Sequence, residues 1–380
     1  MAGRGMGSRR GGVKIGLVWD PLPPLSDHVR LFQLARLNGL DFVLLGDHVQ
    51  GMFPRSIWDA RLGSSVRKGT SPHECLEVFT LLGRLSGAAG RLQLGVGVAD
   101  VLRRHPIVLA QAALTLAHLL PRPFILGLGA GERLGTEPYG LDPVPRASRL
   151  EEAARYVRTA FDPGASFDID GSFYSAKGAI MDLRPPAGRR PQIWIAAHGP
   201  RSLATAGRVG DGWLPTNLKD PGEYERLLTM VRAAAQAAGR DPHSLLPALM
   251  LSLVVARTDR QAHRLLDTRL ARFTAAIMVP APQWRTSGGT HPFGEGFGGY
   301  WDILPEELDP ATVEEAIRTV PQEVLERHFL WGSPSRVQRE LEDLRDAGMR
   351  AVCFIPGSFQ TLGSLLYTLW SLGQIRRRLR

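Results

Sequence analysis

Five side chains able to hold or move a proton stand directly behind β-prone apolar runs. Asp47 and His48 follow Asp41 to Leu45, Asp100 follows Arg91 to Val98, Glu132 follows Pro123 to Leu128, and His198 follows Gln192 to Ala197. A histidine gains or loses a proton near neutral pH, and a carboxylate orients it or becomes the acid when its own pKa is raised. Each also has a plainer reading: Asp47 as a turn cap, His48 as a satisfied core group, Glu132 as the partner of a scattered arginine. A fold that gathers strand ends on one face would make the set a site.

The stretch Pro191 to Trp213 shows how such an end is built. Gln192 to Ala197 reads as a buried strand, His198-Gly199-Pro200 breaks it, and Arg201 to Val209 reads as a helix closed by Gly210. Small residues at that junction let a flat ring or a phosphate approach the backbone, and the first free N–H groups of a helix favour an anion. A tight turn that needs small residues only for packing reads the same way. Gly127-Leu128-Gly129-Ala130-Gly131 looks like a dinucleotide fingerprint, but no helix opens at once and no acidic strand end follows about 20 residues on. HExxH and GxSxG are missing, so neither a metal nor a serine nucleophile is expected.

The elements around these residues alternate. Strands are expected at 13–19, 41–45, 91–98, 123–128, 192–197, 212–216, 246–256 and 350–355, with helices at 26–38, 74–85, 106–120, 147–161, 201–209, 221–238, 259–277, 310–318, 321–329 and 334–347. Near-continuous apolar strands separated by helices predict a parallel sheet, and eight such units predict one closed (β/α)8 TIM barrel over 13–380, with insertions after strands two, four and seven. The segment 162–190 is turn-rich and suits a small hairpin. The segment 280–308, rich in glycine and aromatics, suits a lid or pocket wall. Trp58, Trp284, Phe293 and Tyr300 are the candidate walls of an apolar substrate pocket.

Charge decides among partners. The 46 basic residues include four lysines (Lys14, Lys68, Lys177, Lys219), leaving 42 arginines, and the net charge is +9. The arginines are scattered, often a helical turn from Asp or Glu, apart from Arg376-Arg377-Arg378 and Arg380. Without interleaved aromatics this argues against nucleic acid and for a basic mouth that attracts an anionic cofactor or substrate. No apolar run reaches the roughly 20 residues of a membrane span, and residues 1–12, Gly/Arg-rich, read as a disordered tail rather than a signal peptide. Cys75 and Cys353 fit no metal or CxxC spacing, which suits a reduced, cytoplasmic setting.

Four separated motifs occur in order: Asp47-His48; Leu94 to Val98 followed by Pro106 and Ala110-Gln111-Ala112; Leu126 to Glu132; and Ile195 to Pro200 followed by Ala206-Gly207 and Asp211-Gly212. Together they resemble the bacterial luciferase-like superfamily, and within it the oxidoreductases that use the deazaflavin coenzyme F420. Gly46-Asp47-His48 with Pro54 to Ile57, Gly131-Glu132-Arg133 with Glu137 to Gly140, and His291-Pro292 with Asp302-Ile303 are similar to phthiodiolone ketoreductase-like reductases. The resemblance implies F420H2-dependent hydride transfer to a ketone or conjugated double bond of a lipid or secondary metabolite, with FMN-dependent monooxygenation as the alternative.

It also implies roles. His48 or Glu132 would be the proton donor. Asp47, His48, Gly97, Val98, Asp100, Ala130, Gly131, Glu132, Ala197, His198, Gly199 and Pro200 would line the cofactor, with a bulge and a non-prolyl cis peptide at Gly97-Val98. A homodimer is implied as well. Relatives that oxidise a sugar phosphate surround it with lysines, which this chain largely lacks.

Overall fold

A computed structural model describes residues 12–63, 66, 68–142, 144–162, 164–287, 289–357 and 361–380; residues 1–11 of the expected tail lie outside them. The strands are β1 (Lys14–Trp19), β2 (Phe42–Leu45), β3 (Gln93–Asp100), β4 (Ile125–Gly129), β5 (Phe167–Ile169), β6 (Ala176–Ala179), β7 (Gln192–Ile195), β8 (Gly212–Trp213), β9 (Leu246–Val255), β10 (Leu330–Gly332) and β11 (Ala351–Pro356). All pairs of the large sheet are parallel, in the order β11-β1-β2-β3-β4-β7-β8, and β9 joins β8 to β11, so eight strands close into a barrel. β5 and β6 form the small hairpin of the segment after the helix Arg146–Phe161.

Two apolar layers follow from strands buried on both faces. Outward-facing side chains such as Ile15, Val43, Leu94, Leu126 and Ile193 meet the surrounding helices, while Val18, Phe42, Leu44, Ile125, Trp194 and Met250 fill the barrel. Phe42 and Trp194 meet edge-on inside it, ring centres 5.6 Å apart. They fit because a Cβ on Gly16 would lie 2.6 Å from the Phe42 ring, and one on Gly212 2.6 Å from that of Trp194.

Two differences from the expected elements have local causes. The helix expected over 259–277 is two, Asp259–Leu266 and Arg269–Met278, because Thr268 caps the second through the Ala271 N–H. The three-residue β10, too short to show a period, pairs with the far end of β9 at Leu253 to Val255.

The segments after β2, β4 and β9 share one core over the strand ends, built from Ile57, Leu62, Leu134, Phe273, Phe297 and Ile303. Polar ties lock them together. Gln50 donates to the Leu134 carbonyl at 2.8 Å, Arg133 pairs with Asp302 at 3.1 Å, and Glu306 pairs with both Arg55 (3.1 Å) and His73 (2.7 Å). The C-terminal end of the barrel is thereby roofed.

Candidate active site

Past the end of β2 the adjacent residues Asp47 and His48 go to different partners. The Nδ1 of His48 lies 2.8 Å from Asp20 Oδ1, one residue past β1, and its Nε2 lies 3.3 Å from Glu132 Oε2, just past β4. Burial alone would lower the His48 pKa, but the two carboxylates outweigh it and raise it well above the ordinary histidine range. Burial acts on Asp20 in the opposite sense, yet the His48 charge and hydrogen bond hold that carboxyl below its usual value. The arrangement is an imidazole held between two carboxyl groups at the barrel mouth, which favours its protonated form.

Asp47 is 6% exposed and is committed elsewhere. Arg103 and Arg104 reach its Oδ2 at 2.8 and 2.7 Å, the Asp100 N–H donates to it at 3.3 Å, and Arg103 also donates to the Asp47 carbonyl. Burial opposes its charge, but the two guanidiniums hold its carboxyl below the usual range. Asp100 accepts the Leu102 N–H at 2.7 Å, and burial raises its pKa. Asp47 thus pins the turn after β3 to the end of β2.

β3 has the expected irregularity: the Gly97-Val98 peptide is cis, and the register against β4 shifts between Val96 and Ala99. The bulged Val98 turns toward the glycines of β4, where a Cβ on Gly129 would lie 2.5 Å from Val98 Cγ2. Past β4, Gly131 takes a φ of +83°, and a Cβ there would lie 2.7 Å from Leu102 Cδ1. The Arg146 guanidinium donates to the Gly131 carbonyl at 2.9 Å and lies over the Trp301 ring.

Past β7, Ala197 is buried and its carbonyl accepts the Trp213 indole N–H at 3.0 Å. The Thr216 N–H donates to His198 Nε2 at 3.0 Å, which fixes the neutral tautomer with its proton on Nδ1; burial lowers the His198 pKa in the same sense. Gly199 caps the helix Pro200–Val209 without a side-chain bond, and a Cβ on it would meet nothing within 4 Å. A cavity of about 1000 Å³ opens beside His198, lined also by Tyr300, Trp301, Met278, Lys219 and His328. Burial raises the Tyr300 hydroxyl pKa, with the Glu132 charge adding to it.

The structure therefore brings His48 and Glu132 into contact and sets His198 and Tyr300 on one cavity, but it separates the other aromatics from that cavity. Trp284 is 2% exposed and packs at a tilt against His291, Phe293 packs against Phe297, and Trp58 packs against Phe53 and donates to Thr70. Trp58 and Phe293 pack against the roof's own core, and Trp284 belongs to a neighbouring core with Val254, Phe329 and Trp331. Sequence reasoning missed Asp20, Arg103 and Arg104. Asp20 carries a positional signal, since it follows β1 as Asp47 follows β2; Arg103 and Arg104 were read only as scattered charge.

Polar side chains converge at the C-terminal mouth of a (β/α)8 barrel, next to a bulged strand and an open helix N-terminus, which is the end where enzymes of this barrel class carry their active sites. The model of the luciferase-like monooxygenase family matches residues 4–351, and the chain belongs to that family. It is 38% identical over 357 residues, 93% of each chain, to a phthiodiolone/phenolphthiodiolone dimycocerosates ketoreductase of Mycobacterium tuberculosis. An F420-dependent glucose-6-phosphate dehydrogenase of Beutenbergia cavernae is 32% identical over 62% of this chain and 66% of its own. Among solved structures, an F420-dependent secondary alcohol dehydrogenase in complex with an F420-acetone adduct superposes with a TM-score of 0.75 at 17% identity, covering 97% of this chain and 99% of the other.

Proposed function

We propose that this chain is an F420-dependent oxidoreductase that reduces a ketone or conjugated double bond of a lipid-like or secondary-metabolite substrate. The observation that carries the reading is the line of contacts from Asp20 through His48 to Glu132, set at the strand end next to the Val98 bulge. The residues present fit the cofactor: glycines clear the wall around Val98, Gly199 faces open space, and the N–H groups at the start of the helix Pro200–Val209 lack a side-chain cap and suit an anionic tail. Reduced F420, when bound, supplies a hydride and no one-electron oxygen chemistry.

The protein supplies the proton. His48, whose protonated form its two carboxyl partners favour, is the source of the proton that goes to the substrate atom left with negative charge, and Glu132 holds its Nε2 side at 3.3 Å. Asp20 fixes the Nδ1 side, so the ring keeps one orientation through the cycle. The cavity of about 1000 Å³ beside Tyr300 accommodates a large acceptor.

Two experiments test the reading. Titration of the purified protein with F420 and, separately, FMN, followed by fluorescence, is expected to show tight F420 and weak FMN binding; the reverse preference would move the chain to the oxygen chemistry of its family. Replacing His48 by Ala is expected to leave F420 binding within a few-fold and to cut ketone reduction by about 10²-fold or more, the range that general-acid catalysis supplies. An unchanged rate would remove His48 from the role. A homodimer belongs to the same proposal and is checked by sedimentation velocity.

A further inference from the structure

The helix Leu362–Arg378 carries a ridge that the redox reading does not use. Leu362 is 67%, Leu366 42% and Trp370 49% exposed, and their spacing of four places them on one face. The other face, with Leu369, Leu372 and Ile375, is buried against the barrel. Seven residues beyond Trp370 the same ridge reaches the exposed Arg377, with Arg378 and Arg380 exposed beside it, whereas Arg376 turns inward to Asp41 at 2.6 Å. No acidic residue occurs in the helix.

The basic end adjoins a second basic feature. Gln33, Arg36, Leu37 and Arg91 line a hollow of about 450 Å³, and Leu37 is 82% exposed. A Cβ on Gly39 would lie 3.6 Å from an Arg376 nitrogen and 3.7 Å from one of Arg91, so the hollow and the helix end are neighbours.

We propose that this face docks on an anionic lipid surface. Leucine and tryptophan enter the boundary between headgroups and acyl chains, and Arg377, Arg378, Arg380, Arg36 and Arg91 meet headgroup phosphates. The chemistry is that of helices that lie in a membrane interface, and no helix among the described residues is long and apolar enough to cross one. Charge argues against a second copy as the occupant: it would present the same helix, with arginines and no carboxylate to neutralise them. A surface of phosphate headgroups supplies that charge, and the chain's net +9 adds long-range attraction.

The inference goes beyond the redox reading and is tested without cofactor. The full chain is floated with vesicles of phosphatidylcholine alone and of equal parts phosphatidylcholine and phosphatidylglycerol, at rising salt. Binding to the anionic vesicles alone, weakened by salt, is expected. The pairs Leu366→Ser with Trp370→Ser and Arg377→Glu with Arg378→Glu are each expected to lower partitioning by about tenfold or more, with circular dichroism and F420 affinity unchanged. Equal binding to neutral vesicles, or unchanged partitioning of folded variants, would overturn the proposal. So would loss of a dimer in the same variants, which would assign the face to a second copy.

Discussion

Gly129→Ala tests whether the wall of the site is set by contact between β4 and the Val98 bulge. The new Cβ would stand 2.5 Å from Val98 Cγ2, about 1 Å inside normal contact, with Val98 Cβ at 3.6 Å and the Ala99 carbonyl at 3.9 Å. Overpacking of this kind costs about 1–3 kcal/mol. With unfolding entropy near 2.1 cal/mol/K per residue, a chain of 380 residues loses about 1.3 °C per kcal/mol, so the melting temperature should fall by about 1–4 °C. Moving Val98 also moves the wall offered to the cofactor, and F420 affinity should weaken by about tenfold, or roughly 1.4 kcal/mol. Since the blocked atom is a side-chain methyl, Val98→Ala should rescue both quantities, with a coupling of about 1–2 kcal/mol in a double-mutant cycle. Gly127→Ala is the contrast: its Cβ would lie 2.3 Å from the Val96 carbonyl oxygen as well as 2.9 Å from Val98 Cγ1, so Val98→Ala relieves only the lesser clash. Thermal shift and fluorescence titration of the wild type, the three single variants and the two doubles with Val98→Ala decide it. A Gly129→Ala variant with wild-type stability and affinity, or one that Val98→Ala does not rescue, would refute the packing argument.

Two further outcomes follow from charge. Asp20→Asn removes one of the two carboxylates that raise the His48 pKa, so the alkaline limb of the pH–rate profile for ketone reduction should move to lower pH. The His48 contribution to stability is present in full below the unfolded histidine pKa and is lost as pH rises through the folded value, while that of Asp20 is lost as pH falls through its own lowered value. The stability difference between wild type and Asp20→Asn should therefore peak between the carboxylate range and the His48 folded pKa, as thermal unfolding against pH would show. Arg103→Ala strips one cation from an Asp47 side chain that is 4% exposed. With Arg104 still in place it should cost less than the roughly 3–5 kcal/mol of a fully broken buried pair. The Asp47 pKa is lowered, so its contribution is present above the unfolded carboxylate pKa and lost as pH falls through the folded one. Denaturant titrations should accordingly show the difference at neutral pH shrinking in acid.

The barrel was legible because its strands are buried on both faces, which writes uninterrupted apolar runs into the chain, and because Gly, Pro and polar residues punctuate each strand end. The contact between His48 and Glu132 was half legible. Each residue marks a strand end, but only closure of the sheet shows that the ends of β2 and β4, with β3 between them, bring the two within 3.3 Å. The aromatics of the roof were not legible as core or wall. Trp284 and Tyr300 sit in equally glycine-rich sequence, and what separates them is the packing of His291 against the first, with Phe297 behind that imidazole. Periodicity carries no information on that, since the roof has short helices and no repeating face.

The pair Asp47-His48 shows why one reading of a strand end is too coarse. Two titratable neighbours leave β2 and divide the work. Asp47 spends its charge on two arginines and an N–H, the environment that keeps a carboxylate ionised and immobile. His48 is bound only by carboxyl groups, those of Asp20 and Glu132. A residue whose partners are permanent cations holds structure; a residue whose partners titrate can pass a proton on. On that criterion Asp47 positions the β3 turn, and the proposed proton transfer falls to His48 with Glu132. Asp47→Asn should then lower stability and F420 affinity while leaving the alkaline limb of the pH–rate profile in place, and a shift of that limb as large as that of Asp20→Asn would show the division to be wrong.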